Sequence, residues 1–189
     1  MDIINLTKKY HNRFVYHDFC YYLDNKTINF LKSPNGSGKS TLIKCILNLI
    51  SYKGMIETNI STFAYMPERI IVPEFIKVYK FLELLNIDMN KAKQLLREFK
   101  VNENKYIYEL SKGMRQKILL VQALSTISEG YIFDEPLNGL DDDSIEVFKR
   151  SVYSLYEENK FILISTHQLE KFDFDNMKVI KLGDLIVTS

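Results

Sequence analysis

A short loop rich in glycine carries the clearest chemistry in this sequence. Residues 33–41 read SPNGSGKST and fit the phosphate-loop pattern G-x-x-x-x-G-K-[ST] except at its first position, which is Ser33. Backbone N–H groups in such a loop curl around a phosphate, and a following helix N-terminus adds about half a positive charge. Lys39 would reach the β and γ phosphates, and Ser40 would place its hydroxyl on Mg²⁺. The expected phosphate-contacting residues are Asn35, Gly36, Ser37, Gly38, Lys39, Ser40 and Thr41.

Two further segments end in residues suited to chemistry. YIFDEP (131–136) is an apolar strand followed by Asp134 and Glu135, and FILIST (161–166) is followed by His167. Asp134 would support Mg²⁺, and Glu135 would orient the attacking water. A strand ending in two carboxylates is often only a solvated edge, and a lone histidine is usually structural. The phosphate loop upstream favours the functional interpretation of the two carboxylates, and His167, at the same edge of the sheet, could contact a γ-phosphate.

The elements around these residues predict how they meet. TINFLK reads as a strand before the loop, and TLIKCILNLI reads as a helix with a wide apolar face after it. Strands alternating with helices predict an α/β fold with a mostly parallel sheet, whose carboxyl edge is where ligands bind. The first thirty residues predict an antiparallel β piece, and the helical pattern of about 74–127 predicts a small helical subdomain. KVIKL and LIVTS would close the sheet.

Composition narrows the range of functions. The 189 residues include 46% apolar residues, which favours a globular domain, and a net charge of +1, which argues against a nucleic-acid partner. The N-terminus lacks an apolar signal core, and no apolar run approaches the ~18 residues of a spanning helix. Cys20 and Cys45 form no CxxC pair, so we expect both to pack in the core of a protein from a reducing compartment.

Five motifs in order resemble those of the ATP-binding cassette ATPases of ABC transporters, and the resemblance covers nearly the whole chain. SPNGSGKST resembles the Walker A motif, LSKGMRQK (110–117) the signature motif, YIFDEP the Walker B motif, NGLD (138–141) the D-loop and STH (165–167) the histidine switch. Tyr10 in KKYHN matches the aromatic residue that stacks on adenine. The resemblance implies a P-loop NTPase core that binds ATP and Mg²⁺ and hydrolyses ATP, with Glu135 and His167 as catalytic residues.

The resemblance also implies how the chain assembles. Two cassettes would pack head to tail, as a homodimer or a heterodimer, so that Ser111 and Gly113 touch the γ-phosphate held by the partner, and Asp141 would lie at the dimer seam. The helical subdomain, residues 69–126, would receive a membrane subunit, whereas residues 1–68 and 127–189 would form the nucleotide-binding core. The expected partners are integral membrane transporter subunits. The expected location is cytoplasmic, on the inner face of the cell membrane.

Several residues depart from the family pattern. Ser33 replaces a glycine and would carry about 1–3 kcal/mol of strain if that position needs a positive φ. Lys112 and Met114 replace a glycine and a glutamine of the commonest signature motif. Glu68 in AYMPE stands where many members have a glutamine, and its carboxylate can still ligate Mg²⁺. The other loop residues are kept, so we expect a working loop.

Three functions are compatible with these motifs. The leading hypothesis is an ATPase subunit that powers a transporter, an exporter with separately encoded membrane subunits. The first alternative is an ABC ATPase that acts on ribosomes or DNA, although the single cassette and the absence of long coiled-coil insertions argue against it. The second alternative is a cassette that binds ATP without hydrolysing it in a heterodimer, against which the intact Glu135 and His167 argue. The transported substrate cannot be read from this chain.

Overall fold

Eight strands form two sheets in residues 1–34 and 36–182, the part of the chain that this computed structural model describes. The strands are β1 (Asp2–Tyr10), β2 (Arg13–Tyr22), β3 (Ile28–Lys32), β4 (Lys53–Glu57), β5 (Phe63–Met66), β6 (Gly130–Asp134), β7 (Phe161–Ser165) and β8 (Met177–Lys181). One sheet is antiparallel, in the order β2-β1-β4. The other is parallel, in the order β5-β6-β7-β3-β8.

Five α-helices accompany the sheets in the described residues. They are α1 (Lys39–Ile46), α2 (Val78–Glu83), α3 (Met89–Glu98), α4 (Lys112–Ser125) and α5 (Asp142–Glu157), and short 3₁₀ helices span Ile107–Glu109 and Leu169–Lys171. The side chains of Asp88, Ser111 and Asp141 accept hydrogen bonds from the first turns of α3, α4 and α5. Each such cap stabilises its helix by about 1 kcal/mol and sets where the helix begins.

The central strands explain why polar residues converge at one edge of the parallel sheet. β6 and β7 are buried along their whole length, as their continuous apolar runs require of strands covered on both faces. In the register of the sheet, Asp134 lies opposite Ser165, and Ser165 lies opposite Leu31 of β3. The carboxyl ends of β3, β6 and β7 therefore lie side by side, and the segments that leave these strands share one edge.

Two apolar cores hold the layers together. One contains Phe30, Phe133 and Phe148 and packs the parallel sheet against α4 and α5. The other contains Leu6, Leu42 and Leu163 and packs the opposite side of that sheet against α1 and the antiparallel sheet. The parallel sheet is thus covered on both faces, and its carboxyl edge is where the glycine-rich loop and the polar strand ends meet.

The structure confirms the predicted fold class and corrects one detail. Cys45 is buried, but Cys20 is exposed, so the expectation that both cysteines lie in the core is wrong for Cys20. Cys20 lies on the solvent side of β2, opposite an irregularity in β1, and its Sγ accepts a hydrogen bond from the backbone N–H of Asn5 at 3.1 Å. The predicted last strand, LIVTS, lies outside the described residues, and the exact limits of the helical subdomain stay a prediction.

Candidate nucleotide site

The glycine-rich loop has the backbone conformation that only glycine adopts without strain. Gly36 and Gly38 have φ values of 79° and 99°. A Cβ atom on Gly38 would lie 2.7 Å from Cγ1 of Val15, so the antiparallel sheet packs directly against the loop. The Tyr16 hydroxyl also donates a hydrogen bond to the Gly38 carbonyl at 3.0 Å. α1 then begins at Lys39 without a side-chain cap, which leaves its first N–H groups available to a phosphate.

Lys39 is a buried cation held by oxygen atoms. Its side chain is only 6% exposed, and its Nζ donates to the Ser33 carbonyl at 2.6 Å. The same nitrogen lies 3.3 Å from Oε1 of Glu135. Burying an ammonium group costs desolvation free energy unless the group is paired. Lys39 is therefore placed to interact with negative charge.

Ser33, which stands where the family pattern has a glycine, does not have the strained backbone conformation considered for this position. The residues with positive φ do not include Ser33, so the condition under which strain was expected is not met. Ser33 is buried, and its carbonyl serves as the acceptor for Lys39. Its Oγ is also buried and has no hydrogen-bond partner among the described residues.

Asp134 and Glu135 are positioned by a residue that the sequence did not single out. Ser165, at the end of β7, donates its hydroxyl hydrogen to Oδ1 of Asp134. The backbone N–H of Glu135 donates to both the Oγ and the carbonyl oxygen of Ser165, at 3.1 and 3.0 Å. Only the cross-strand register, which brings Asp134 opposite Ser165, reveals this role.

The Glu135 carboxylate has one oxygen that is held and one that is open. Its Oε2 lies 2.8 Å from Nδ1 of His167 and accepts a 3.3 Å hydrogen bond from the His167 backbone N–H. Its Oε1 accepts no hydrogen bond, since the nearby Lys39 amine is at ion-pair distance but not aligned as a donor. The Glu135 side chain is 4% exposed and that of His167 is 49% exposed. Oε1 is therefore a buried carboxylate oxygen that is paired with Lys39 and can still accept a hydrogen bond from a ligand.

These groups line one small cavity. Its volume is about 90 Å³, and it is lined by Gly36, Ser37, Lys39, Ser40, Glu68, Asp134 and Glu135. All seven residues were predicted from the sequence as site residues. Tyr65 lies nearby, and its burial together with the charges of Asp134 and Glu68 raises the pKa of its phenol to about 12. A larger hollow of about 290 Å³ beside α3 contains none of the predicted residues.

The donor set suits a phosphate-bound magnesium ion better than a metal held by protein alone. Within residues 1–34 and 36–182, no group of three or more His, Cys, Asp or Glu side chains is arranged to hold a metal. The cavity instead offers the Ser40 hydroxyl and the carboxylates of Asp134 and Glu68. Mg²⁺ typically takes one or two carboxylates and completes its shell with phosphate and water oxygens. Ser37 Oγ and Glu135 Oε1 are buried polar atoms that receive no hydrogen bond from residues 1–34 or 36–182, and such a ligand would satisfy them.

Gly38, Thr41 and His167 adjoin residues that line the cavity, whereas three other predicted residues are not part of its lining. Tyr10 ends β1 and is exposed, with the Lys8 amine 4.9 Å from the centre of its ring. Ser111 is the N-cap of α4, and Gly113 lies in the first turn of that helix. Neither of them lines the cavity, so one chain alone does not bring the whole predicted set together. Asn35 lies outside the described residues.

Comparison with known proteins agrees with this geometry. The profile of the family described as ABC transporter matches residues 17–138. An uncharacterised ABC transporter ATP-binding protein of Methanocaldococcus jannaschii, MJ1023, is 31% identical over 96% of this chain and 74% of its own length. YthP of Bacillus subtilis, also an uncharacterised ABC transporter ATP-binding protein, is 34% identical over 83% of this chain and 72% of its own.

A solved structure supports the same assignment. The chain superposes on a structure of the ATP-binding subunit of an ABC transporter with a TM-score of 0.83, at 27% identity, over 96% of this chain and 86% of that one. None of the helices in the described residues combines the length and apolar character needed to cross a bilayer. The family match, the two relatives and the phosphate cavity agree: the chain belongs to the ATP-binding subunits of ABC transporters, which bind ATP with Mg²⁺ and hydrolyse it.

Proposed function

We propose that this chain hydrolyses ATP at the cavity between α1 and β6, with Glu135 as the general base, and so powers an exporter. The observation that carries the assignment of Glu135 is its buried Oε1, which accepts no hydrogen bond and lines the cavity beside Lys39. A general base must have an oxygen free to accept the proton of the attacking water. Asp134, whose Oδ1 accepts a hydrogen bond from Ser165, is instead proposed to support Mg²⁺.

Lys39 is the proposed phosphate ligand. Its amine donates a hydrogen bond to the Ser33 carbonyl and forms an ion pair with Glu135. A phosphate in the cavity offers it a full negative charge in a buried setting, where a charge-assisted hydrogen bond is about twice as strong as a neutral one. The backbone N–H groups of Gly36, Ser37 and Gly38, with the start of α1, would hold the remaining phosphate oxygens. Ser40 and Thr41 would add hydroxyl groups.

His167 would orient the general base, Glu135, and contact the γ-phosphate. Its Nδ1 and its backbone N–H both face Oε2 of Glu135, which turns Oε1 toward Lys39. The imidazole is about half exposed, so its other edge remains accessible at the mouth of the site. Mg²⁺, when bound with ATP, would neutralise phosphate charge in the transition state; Ser40, Asp134 and Glu68 are its proposed ligands.

A second cassette would complete the site. Tyr10 is proposed to stack on the adenine, and Ser111 and Gly113 to contact the γ-phosphate bound by the partner. Ser111 and Gly113 lie outside the cavity that Lys39 lines, which supports a role for them across an interface. The exposed N-terminus of α4 is suited to this contact, because an N-terminal helix end favours a phosphate.

Replacing Glu135 by Gln tests the proposed base. Glutamine keeps the shape of the side chain but accepts no proton, so turnover should fall by about 10²–10⁴-fold, while ATP binding persists. Steady-state phosphate release and nucleotide binding by fluorescence would be measured, with Glu157→Gln on the exposed end of α5 as the matched control. Unchanged turnover in Glu135→Gln would remove Glu135 from this role. A wild-type chain that binds ATP without turnover would instead support a non-hydrolysing cassette.

The transport step is a separate proposal. Export is proposed from the compact LSKGM signature segment. Relatives named for import also exist, such as the zinc import ATP-binding protein ZnuC of Hydrogenovibrio crunogenus, 32% identical over 72% of this chain. The tagged chain is proposed to bind a polytopic membrane subunit at the cytoplasmic face of the membrane. Purification of the tagged chain from detergent-solubilised membranes should recover that subunit. Inside-out vesicles of the recovered complex would then decide the direction: export predicts ATP-dependent uptake into them.

A further inference from the structure

We infer that Lys117 is a positioning residue, which ties the first turns of α4 to the segment 136–141 that follows Glu135. This segment, called the connecting segment here, joins β6 to α5. Through Lys117 the end of α4 that serves one ATP would be linked to the carboxylate that acts on the other. The inference rests on the proposed function, in which Ser111 and Gly113 act across the dimer.

The central contact is an ion pair that is buried on one side. Lys117 is 10% exposed, and its Nζ donates to Oδ2 of Asp141 at 2.7 Å and to the Phe99 carbonyl at 3.3 Å. The other oxygen of Asp141 accepts from the Ser144 backbone N–H at 2.9 Å and so caps α5. One carboxylate therefore fixes both the start of α5 and the face of α4.

Two neighbouring contacts join the same pair of elements independently of charge. A Cβ atom on Gly113 would lie 2.5 Å from the Gly139 carbonyl oxygen, so the backbones of α4 and the connecting segment touch. One turn further along α4, the Gln116 side-chain amide donates to the Pro136 carbonyl at 3.5 Å. Gly113, Gln116 and Lys117 thus contact the connecting segment along its whole length.

A nearby ion pair provides the contrast. Lys100 Nζ also lies 2.7 Å from a carboxylate oxygen, that of Asp143 in the first turn of α5, but the two side chains are 74% and 76% exposed. Exposed pairs of this kind contribute little, since water and salt screen them. Lys117 differs because its own side chain is 10% exposed and has a second acceptor, although Asp141 is 59% exposed. Loss of Lys117 removes the donor to Oδ2 of Asp141 and to the Phe99 carbonyl.

The chain order gives the contact its consequence. Glu135 immediately precedes the connecting segment, and the backbone N–H of Glu135 is fixed on Ser165. A displacement of α4 would reach Glu135 through Pro136, because the connecting segment is held at its start, middle and end. Removing the tie at Asp141 should therefore impair turnover and closure of the dimer, without weakening the first contact of ATP with the phosphate loop.

The experiment compares variants of the two ion pairs in the full chain. Lys117→Met removes the charge at similar length, Lys117→Arg keeps it, and Asp141→Asn removes the acceptor charge while an asparagine still caps α5. Lys100→Met is the matched control. ATP turnover, KM for ATP and the melting temperature would be measured for each. ATP-dependent dimer formation would be followed by light scattering in the Glu135→Gln background.

We expect Lys117→Met and Asp141→Asn each to lower kcat by about tenfold with KM within about twofold of wild type, which reports loss of a transition-state interaction. The double variant should be no worse than either single one, and Lys117→Arg should recover most of the activity. Dimer formation should weaken in the same order. Lys100→Met should match wild type.

The inference fails if Lys117→Met and Asp141→Asn turn over ATP like wild type, or if Lys100→Met loses as much as they do. If Lys117→Met does not fold, Asp141→Asn decides alone. Failure of the proposed function looks different: wild type would then show no turnover, or Glu135→Gln would retain it. These outcomes do not overlap, because the first requires an active wild-type chain.

Discussion

The two regions proposed to contact phosphate are built in opposite ways. The loop at the edge of the parallel sheet encloses Lys39, Asp134 and Glu135 in a buried cavity, where their charges face one another. The N-terminus of α4 is exposed, and the Ser111 hydroxyl there caps its own helix by accepting a hydrogen bond from the Met114 backbone N–H. The first region has charge, enclosure and an acceptor without a donor. The second has only a helix end.

This difference indicates a division of work. A region that carries its own buried cation binds phosphate without help, because desolvated charge interacts strongly. A helix end contributes only a fraction of a charge at a solvated surface, so it acts when another surface encloses it. We therefore expect variants of the loop to lose ATP binding and variants of α4 to lose turnover with binding retained.

The largest expected effect comes from Lys39→Met. Removing the only buried cation that lines the described cavity should weaken ATP binding by about 100-fold or more and abolish measurable turnover. Lys44→Met, on the exposed side of the same helix, is the control. Titration of a fluorescent ATP analogue checks the result. Retained affinity in Lys39→Met would break the contrast between the two regions.

Gly113→Ala should have the next largest effect and should leave binding intact. The added methyl group would lie 2.5 Å from the Gly139 carbonyl oxygen. Because that oxygen belongs to the backbone, the clash can be relieved only by moving α4 or the connecting segment. We expect turnover to fall by about tenfold, the range of a displaced positioning group, while the affinity of the monomer for ATP stays the same. Single-turnover kinetics beside equilibrium binding would separate the two. An equal loss of affinity would show that α4 acts on its own subunit's nucleotide.

Tyr10→Ala should weaken ATP affinity by about tenfold, since stacking of a base on an aromatic ring contributes about 1–3 kcal/mol. Tyr10→Phe keeps the ring and should behave like wild type. GTP and ATP should lose similar affinity, because stacking is tolerant of base identity. If Tyr10→Ala and wild type bind ATP equally, the adenine lies elsewhere.

A smaller effect is expected for Tyr16→Phe. Burial raises the pKa of the Tyr16 phenol, so the hydroxyl stays protonated and donates to the Gly38 carbonyl throughout the physiological range. Losing this hydrogen bond should cost about 1 kcal/mol of unfolding free energy and have only a slight effect on ATP affinity. Urea denaturation measures the first quantity. A large loss of affinity instead would show that this bond sets the shape of the loop.

Ser33→Gly should have the smallest effect. Because Ser33 does not have a positive φ, restoring the glycine of the family pattern relieves no strain. Turnover should stay within about twofold of wild type, and stability should fall slightly through the greater freedom of glycine in the unfolded chain. A clear rise in turnover would mean that Ser33 holds the loop back.

The sequence predicts the enclosed region better than the exposed one. Glycine spacing, a lysine and a strand that ends in carboxylates are local patterns, and they predict six of the seven residues that line the cavity; Glu68 was predicted only through the family resemblance. The roles of Ser165 and Lys117 depend on contacts between segments far apart in the chain, which no local pattern records. Cys20 was misplaced for a related reason, because the irregular pairing of β1 with β2 decides which face it occupies.

The strand order of the parallel sheet also governs when the site can exist during synthesis. The adjacent strands β3 and β7 span residues 28–32 and 161–165. β3 and the phosphate loop that follows it therefore leave the ribosome long before β7 does. At typical translation rates roughly ten seconds separate them. During that interval β3 lacks the strand that carries Ser165, although Leu31 can already pack against α1 and the antiparallel sheet. The complete site can therefore form only after residues 161–165 have been synthesised, and a chain that stops before β7 should lack it.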